Sequence, residues 1–272
     1  MTQLDVVPAM TDFDRATTLS PVGGRPGELT ASLDAGWSSL VGVHGGYLSA
    51  LATRAAQAIV PDRAVRTLTT SFLRIGRVGP ASVTANELRR GRSVSTVTAD
   101  IVQDGHVVTT TRLTLLTERS GVEWTAAPPL ELPPVEQCIP VEPPTDIAHF
   151  HRVDGRLDPS SLPFSDGARA IVRGYLRPLE TRVVDAAWLA MATDWFPPPA
   201  FVRVAPPTGG VSVDLTTHLH RPHLVLDEDE WLTGSFEVAT STGGLALEHG
   251  RIADRLGRLV AESFHTRLTA LD

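Results

Sequence analysis

The chain has 272 residues, 24 basic against 31 acidic side chains, a formal net charge of −7 and one cysteine. That length holds one large domain or two of ordinary size, and the acidic balance without a basic run excludes nucleic acid as the main partner. Cys138 alone excludes a disulfide framework or a paired-cysteine metal site. The opening MTQLDVVPAMTDFDR lacks a basic, apolar leader and no apolar run is long enough to span a bilayer, so the sequence reads as a cytoplasmic protein.

Residues 25–34 read as a first strand. The glycines of 36–46 lead into an apolar helix over 47–60, where Leu48, Leu51, Ala52, Ala55 and Ile59 recur at helical spacing and Pro61-Asp62 ends it. His44-Gly45-Gly46 stands at its N-terminus, where glycines let a ligand approach backbone N–H groups that favour negative charge. Strands follow at 66–74, 81–88, 93–103 and 106–117, with Arg89-Arg90-Gly91-Arg92 at one turn and Asp104-Gly105 as a hairpin signal. This predicts one helix followed by a meander of four long antiparallel strands.

From 118 to 147 the character changes to scattered acids and repeated prolines, including Pro143-Pro144, which reads as an extended surface linker. Cys138 within it carries no evident role. Strands are then expected at 149–154 and 168–176, and a helix at 182–196 stopped by three prolines. A loop with Gly209-Gly210 leads to strands at 211–221, 231–240, 245–254 and 259–269. The second half thus repeats the first. Leu68-Thr69-Thr70 parallels Leu215-Thr216-Thr217, and Ala50-Leu51-Ala52-Thr53 parallels Ala190-Met191-Ala192-Thr193.

The second helix is apolar all round, yet it places Asp194 in its last turn, where a negative charge opposes the helix dipole. Two readings stay open for it. A desolvated Asp194 would have a raised pKa suited to a base near neutral pH, whereas an exposed one would merely mark a fraying helix end. In the first half the residue after the matching Ala-Leu-Ala-Thr is Arg54, so only the second half offers a base.

One apolar helix wrapped by one curved antiparallel sheet, occurring twice, is an α+β double hotdog. The expected division is a first hotdog over 1–118, a linker over 119–147 and a second hotdog over 148–272.

Several pieces in this order resemble the type II acyl-CoA thioesterases: His44-Gly45-Gly46, Phe72-Leu73-Arg74, Gly91-Arg92-Ser93, Ala192-Thr193-Asp194, His220-Arg221-Pro222 and Gly257-Arg258-Leu259. The resemblance implies hydrolysis of fatty acyl-CoA to free acid and CoA, without a cofactor. In that family an Asp, a Thr or Ser, and a Gln activate a water. These positions fall on Asp194, Ser212 and His265, the last a departure from Gln; a histidine beside Phe264 also has the plainer reading of a satisfied core residue. His44, Gly45, Gly46 and Tyr47 then fall where backbone N–H groups polarise the thioester carbonyl. Arg89, Arg90 and Arg92 are the candidates for the CoA phosphates, though for any one of them a solvated hairpin turn is the preferred reading. His218, His220 and His223 lack a suitably spaced carboxylate, so no metal is expected. Two other functions compete: binding of an acyl ligand without turnover, which the His265 departure favours, and an enoyl-CoA hydratase using His44 or His265 with Asp194. Exposed sheet edges leave a homo-oligomer open.

Overall fold

The computed structural model describes residues 10–142, 147–203, 210–227 and 229–269. Residues 1–9, Pro143-Pro144 and Gly209, on which parts of the amino-terminal, linker and loop readings fell, lie outside the described residues. The first half runs α1 (Asp12–Ala16), β1 (Ser20–Pro21), β2 (Glu28–Leu33), α2 (Gly45–Ile59), β3 (Ala64–Phe72), β4 (Gly79–Arg90), β5 (Val94–Gln103) and β6 (His106–Leu116). The second runs β7 (Ile139–Pro140), β8 (Val153–Leu157), β9 (Ala170–Pro178), β10 (Val183–Asp185), α3 (Ala186–Ala192), β11 (Ser212–Leu219), β12 (His223–Val225), β13 (Leu232–Thr242), β14 (Leu245–Ala253) and β15 (Leu259–Leu268).

Thirteen of these strands form one antiparallel sheet in the order β1-β2-β4-β5-β6-β3-β11-β15-β14-β13-β9-β8-β7, and β10 pairs with β12 apart from it. Each long strand alternates covered and open side chains, as Val83, Ala85, Val97, Ala99, Ile101 and Leu113 show on the covered face. Both edge strands are two residues long and end in proline, Pro21 and Pro140, which removes the donors that edge-to-edge pairing needs.

Three expectations need correction. The strands after each helix are not a simple meander: β4-β5-β6 and β13-β14-β15 are, but β3 and β11 cross over to lie beside β6 and β15. Segment 149–154 opens as a tight 3-10 turn, Ala148–Arg152, because His149 and Arg152 are tied to the backbone of Ser38 and Gly36 in the first half. The second helix is also shorter than 182–196. The β-branched Val183 and Val184 pair with β12, and Asp185 caps Ala186–Ala192 by accepting from the Trp188 N–H at 2.9 Å. Asp194 therefore lies just past the helix, in the turn that follows, with its own N–H donated to Met191 O at 3.1 Å.

The crossover brings β3 and β11 together at the centre, joining the halves. Their register sets Thr69 opposite Thr216, with the two hydroxyls 3.1 Å apart. These are the residues that the Leu-Thr-Thr match makes equivalent, so the local two-fold axis passes between them. The next residue on each strand also reaches its own helical segment, through partners that the repeat does not make equivalent. Thr70 on β3 hydrogen-bonds Ser49 of α2 at 3.0 Å, and Thr217 on β11 hydrogen-bonds Thr193 after α3 at 3.0 Å.

The helices pack antiparallel against each other under the sheet. All of α3 is buried, as are ten residues of α2 including Leu48, Leu51 and Ala52. They touch closely where Gly46 faces Met191: a Cβ at Gly46 would lie 2.6 Å from the Met191 carbonyl oxygen. Glycine there is a packing requirement, and it brings the α2 N-terminus onto Asp194. Urea unfolding should show Leu51→Ala destabilised by about 2–5 kcal/mol with an unchanged m-value. Leu88→Ala, at a side chain left 61% exposed, should stay within about 0.5 kcal/mol of wild type.

Candidate active site

Each half sends side chains to the junction between the α2 N-terminus and the turn after α3. His44 is the N-cap of α2. Its Nδ1 accepts from the Tyr47 N–H at 3.3 Å, so the proton sits on Nε2. That Nε2 donates to the Asp194 backbone carbonyl at 3.0 Å and lies 3.3 Å from Asp194 Oδ2. Oδ2 also accepts from the Gly46 N–H at 2.7 Å. From β15, alternation puts Ser263, His265 and Arg267 on the covered face. Arg267 Nη2 donates to Asp194 Oδ1 at 2.8 Å, and His265 Nδ1 stands 3.5 Å from the same oxygen.

Asp194 is buried, but its proton affinity moves opposite to expectation. Burial pushes the carboxyl up; His44, Arg267 and His265 together oppose it and hold it well below the usual carboxylate range. The raised pKa inferred for a desolvated Asp194 is thus overturned, because desolvation comes with a guanidinium and a backbone N–H already aimed at the charge. His265 is fully covered. Burial, then Arg267, hold its pKa down at about 3, so it is neutral near pH 7. Neither of its ring nitrogens has a hydrogen-bond partner among the described residues, so it is not a satisfied core histidine there.

Of the other sequence candidates, Ser212 reaches the site only through Arg267, whose Nη1 is 3.4 Å from its Oγ. Gly45 and Tyr47 open α2: a Cβ at Gly45 would lie 2.9 Å from Asp194 Oδ2, whereas the Tyr47 N–H is taken by His44 Nδ1 and its hydroxyl turns away to donate to Ala16 O at 2.6 Å. Arg89, Arg90 and Arg92 are not brought to this junction. They sit on the β4–β5 hairpin, and Arg90 pairs with Asp62, three residues past the opposite end of α2. Among the described residues, no group of three His, Cys, Asp or Glu side chains is placed to hold a metal ion. None of the described helices is long and apolar enough to cross a membrane.

Three residues escaped the sequence reading. Arg267 lies two positions after His265 on the same strand face, a signal that alternation alone provides. Glu248 on β14 faces His265 in the ladder and accepts from Arg267 Nε at 2.9 Å. His149 stacks on His44 with ring centroids 4.2 Å apart, and burial, then the nearby His44, hold its pKa down at about 3. It comes from the far end of the linker, so no local pattern links it to His44.

The two-fold relation generates a second junction, and it differs. The Ala-Leu-Ala-Thr match makes Arg54 the counterpart of Asp194 and Gly45 the counterpart of Asp185, and Arg54 meets Asp185 at 2.9 Å. The strand registers carry the comparison further. Leu113 faces Leu68 as His265 faces Leu215, so Leu113, Leu115 and Val97 stand where His265, Arg267 and Glu248 stand. All three are fully covered aliphatic residues. Only one junction carries the acid, the imidazole and the guanidinium.

Comparison with known proteins agrees with this duplicated layout. The family model "Acyl-CoA thioesterase N-terminal domain" matches residues 33–116, and "Acyl-CoA thioesterase C-terminal domain" matches residues 129–269. No curated protein sequence matches. Among solved structures, a hot dog fold protein of unknown function from Alicyclobacillus acidocaldarius aligns with TM-score 0.86 and 24% identity, covering 96% of this chain and 98% of that one. A protein provisionally assigned as a thioesterase II, from Thermobifida fusca YX, aligns with TM-score 0.83 and 27% identity over 97% and 99%. An acyl-CoA thioesterase II from Mycobacterium marinum aligns with TM-score 0.76 and 22% identity over 96% and 98%.

The two depressed histidines set a pH dependence of stability. In the unfolded chain each has a pKa near ~6.5, so on acidification the unfolded state binds protons first. Their contribution is complete above that value and is lost as pH falls toward about 3, the folded pKa of both. Urea unfolding from pH 7 to 4.5 should fall by up to about 1.4 kcal/mol per pH unit per histidine, and His265→Gln should remove about half of that slope.

Proposed function

Because this chain belongs to the type II acyl-CoA thioesterase family and is a thioester hydrolase, we propose that its substrate is a fatty acyl-CoA and that Asp194 activates the attacking water. The observation that carries this reading is the buried pair of Asp194 Oδ1 and His265 Nδ1, 3.5 Å apart at the N-terminus of α2, with neither imidazole nitrogen hydrogen-bonded among the described residues. A water seated to one side of this pair, at the apex of a triangle with the two atoms, would be held by both the carboxylate and the neutral imidazole.

In this reading the thioester carbonyl seats against the Gly46 N–H. That N–H now serves Asp194 Oδ2, so a carbonyl that takes it also removes a donor stabilising the carboxylate. Asp194 then becomes a stronger base as the substrate seats, which offsets its depressed resting proton affinity. The water oxygen bonds to the carbonyl carbon as its proton passes to Asp194. The developing oxyanion is held by the Gly46 N–H. Collapse breaks the carbon–sulfur bond, CoA leaves as its thiol with the proton from Asp194, and the carboxylic acid so formed gives its remaining proton to solvent and departs as the carboxylate.

Ser212 in this scheme steadies the guanidinium. The phosphate-binding role passes from the β4–β5 hairpin to Arg74 and Arg77, exposed on the loop after β3. That loop's Gly76 carbonyl accepts from the Val43 N–H at 2.9 Å, beside His44. The chain divides into two hotdog units, 1–118 and 148–272, around the proline-rich segment, and the substrate class implies lipid metabolism in the cytoplasm.

Free-thiol release from a panel of acyl-CoA esters tests the reading. Wild type should turn over at least one chain length, and Asp194→Asn should lower kcat by ~10²- to 10⁴-fold without unfolding. Thermal stabilisation by acyl-CoA without thiol release would instead make the protein a non-catalytic acyl-ligand binder.

A further inference from the structure

We propose that Arg267, clamped by Glu248, is a positioning residue of this site: it fixes the direction of the Asp194 carboxylate and tunes how readily it takes a proton from water. The inference rests on the hydrolytic reading above and adds two residues to it.

Every nitrogen of the guanidinium is engaged. Nη2 donates to Asp194 Oδ1 at 2.8 Å, Nε to Glu248 Oε2 at 2.9 Å, and Nη1 to Gly210 O at 3.2 Å and Ser212 Oγ at 3.4 Å. The ladder explains the geometry. Ala246 faces Arg267 and Glu248 faces His265, so Glu248 and Arg267 meet on the diagonal of two neighbouring strands. A fork held at Nε and Nη1 has its last donor pointed in one direction, and Asp194 Oδ1 lies there.

A purely architectural role is hard to maintain. Asp194, Glu248 and Arg267 are 7%, 2% and 6% exposed, so three ionisable groups are removed from water in one place. In the first half the counterparts of Glu248 and Arg267 are the fully covered Val97 and Leu115, and that sheet closes over its helix equally well. Buried ion networks are seldom more stable than well-packed aliphatic residues. The charges are kept at the one junction that also carries His265 and the Gly46 N–H.

The groups facing Asp194 from each packed element define its balance. They are His44 from α2, His265 and Arg267 from β15, Glu248 from β14 behind the guanidinium, and His149 behind His44. One guanidinium shared between two carboxylates holds each less firmly than it would hold one alone. Glu248 therefore both aims Arg267 and moderates its grip on Asp194. Burial pushes the Glu248 carboxyl up, and the Arg267 guanidinium beside it opposes.

The test measures kcat and KM across pH for thiol release from an acyl-CoA that wild type hydrolyses, with circular dichroism of each variant. Arg267→Met should lower kcat by ~100-fold or more with KM within ~3-fold, and should move the acid limb of kcat/KM upward by about one pH unit or more. Arg267→Lys, which keeps the charge but loses the fork, should fall between. Glu248→Leu should lose rate, and Glu248→Gln, whose amide oxygen still accepts from Nε, should recover most of it. Should Arg267→Met fail to fold, the Lys variant and the two Glu248 variants decide. Equal losses in Glu248→Gln and Glu248→Leu, or an acid limb that does not move in the folded Arg267 variants, would overturn the inference alone. Absence of wild-type turnover on any acyl-CoA would overturn the hydrolytic reading and this inference with it.

Discussion

A carboxylate shut away from water persists only where donors surround it, and the junction at Asp194 is built to that requirement. The Gly46 N–H, Arg267 and His44 all converge on it, from two different halves of the chain. Charge-assisted hydrogen bonds of this kind contribute roughly 1.5–3 kcal/mol each, whereas a buried charge left without them costs several. The approach of α2 to the turn after α3 is therefore fixed as much by electrostatics as by packing. Gly46 makes the approach sterically possible, and the apolar α3 leaves Asp194 no solvent to turn to.

Duplication supplied two such junctions, and the chain treats them in opposite ways. At the second, Arg54 and Arg182 pair with Asp14 and Asp185, and Arg182 also bonds the capping Thr11 of α1. Most of these groups remain partly open to solvent, so the pairs contribute little individually. Their effect is to occupy the position with the protein's own side chains. Behind them, Val97, Leu113 and Leu115 make the sheet face apolar. The exchange of Asp194 for Arg54, visible in the short repeat, is one part of a broader difference in polar character that involves two strands.

The duplicated pattern of apolar helices and alternating strands was legible because burial imposes periods of 3.6 and 2 on the sequence. The crossover of β3 and β11 was not, since the next strand in sequence is the default neighbour and only the joined halves show otherwise. Asp194 stood out as a charge in an apolar stretch, but the direction of its pKa shift could not be read from one residue and its neighbours. Burial and compensation act with opposite signs, and the compensating groups lie 148 and 73 residues away in sequence. Arg267 and Glu248 look like surface charges in isolation. Only the pairing of β14 with β15 turns them inward together.

The departure of His265 from Gln acquires a physical sense from the same network. A histidine in water near pH 7 carries some positive charge, which would compete with Arg267 for Asp194 and bind the carboxylate too tightly for proton transfer. Here burial and the adjacent guanidinium keep the ring neutral, with a pKa of about 3. A neutral imidazole offers one N–H donor and one lone pair, the same complement that a side-chain amide can present to a water. In the proposed reaction, the residue that looked least faithful to the family pattern would thus take the amide's part. The two features support each other: burial, helped by the guanidinium, keeps the imidazole neutral, and a neutral imidazole does not compete with the guanidinium for the acid.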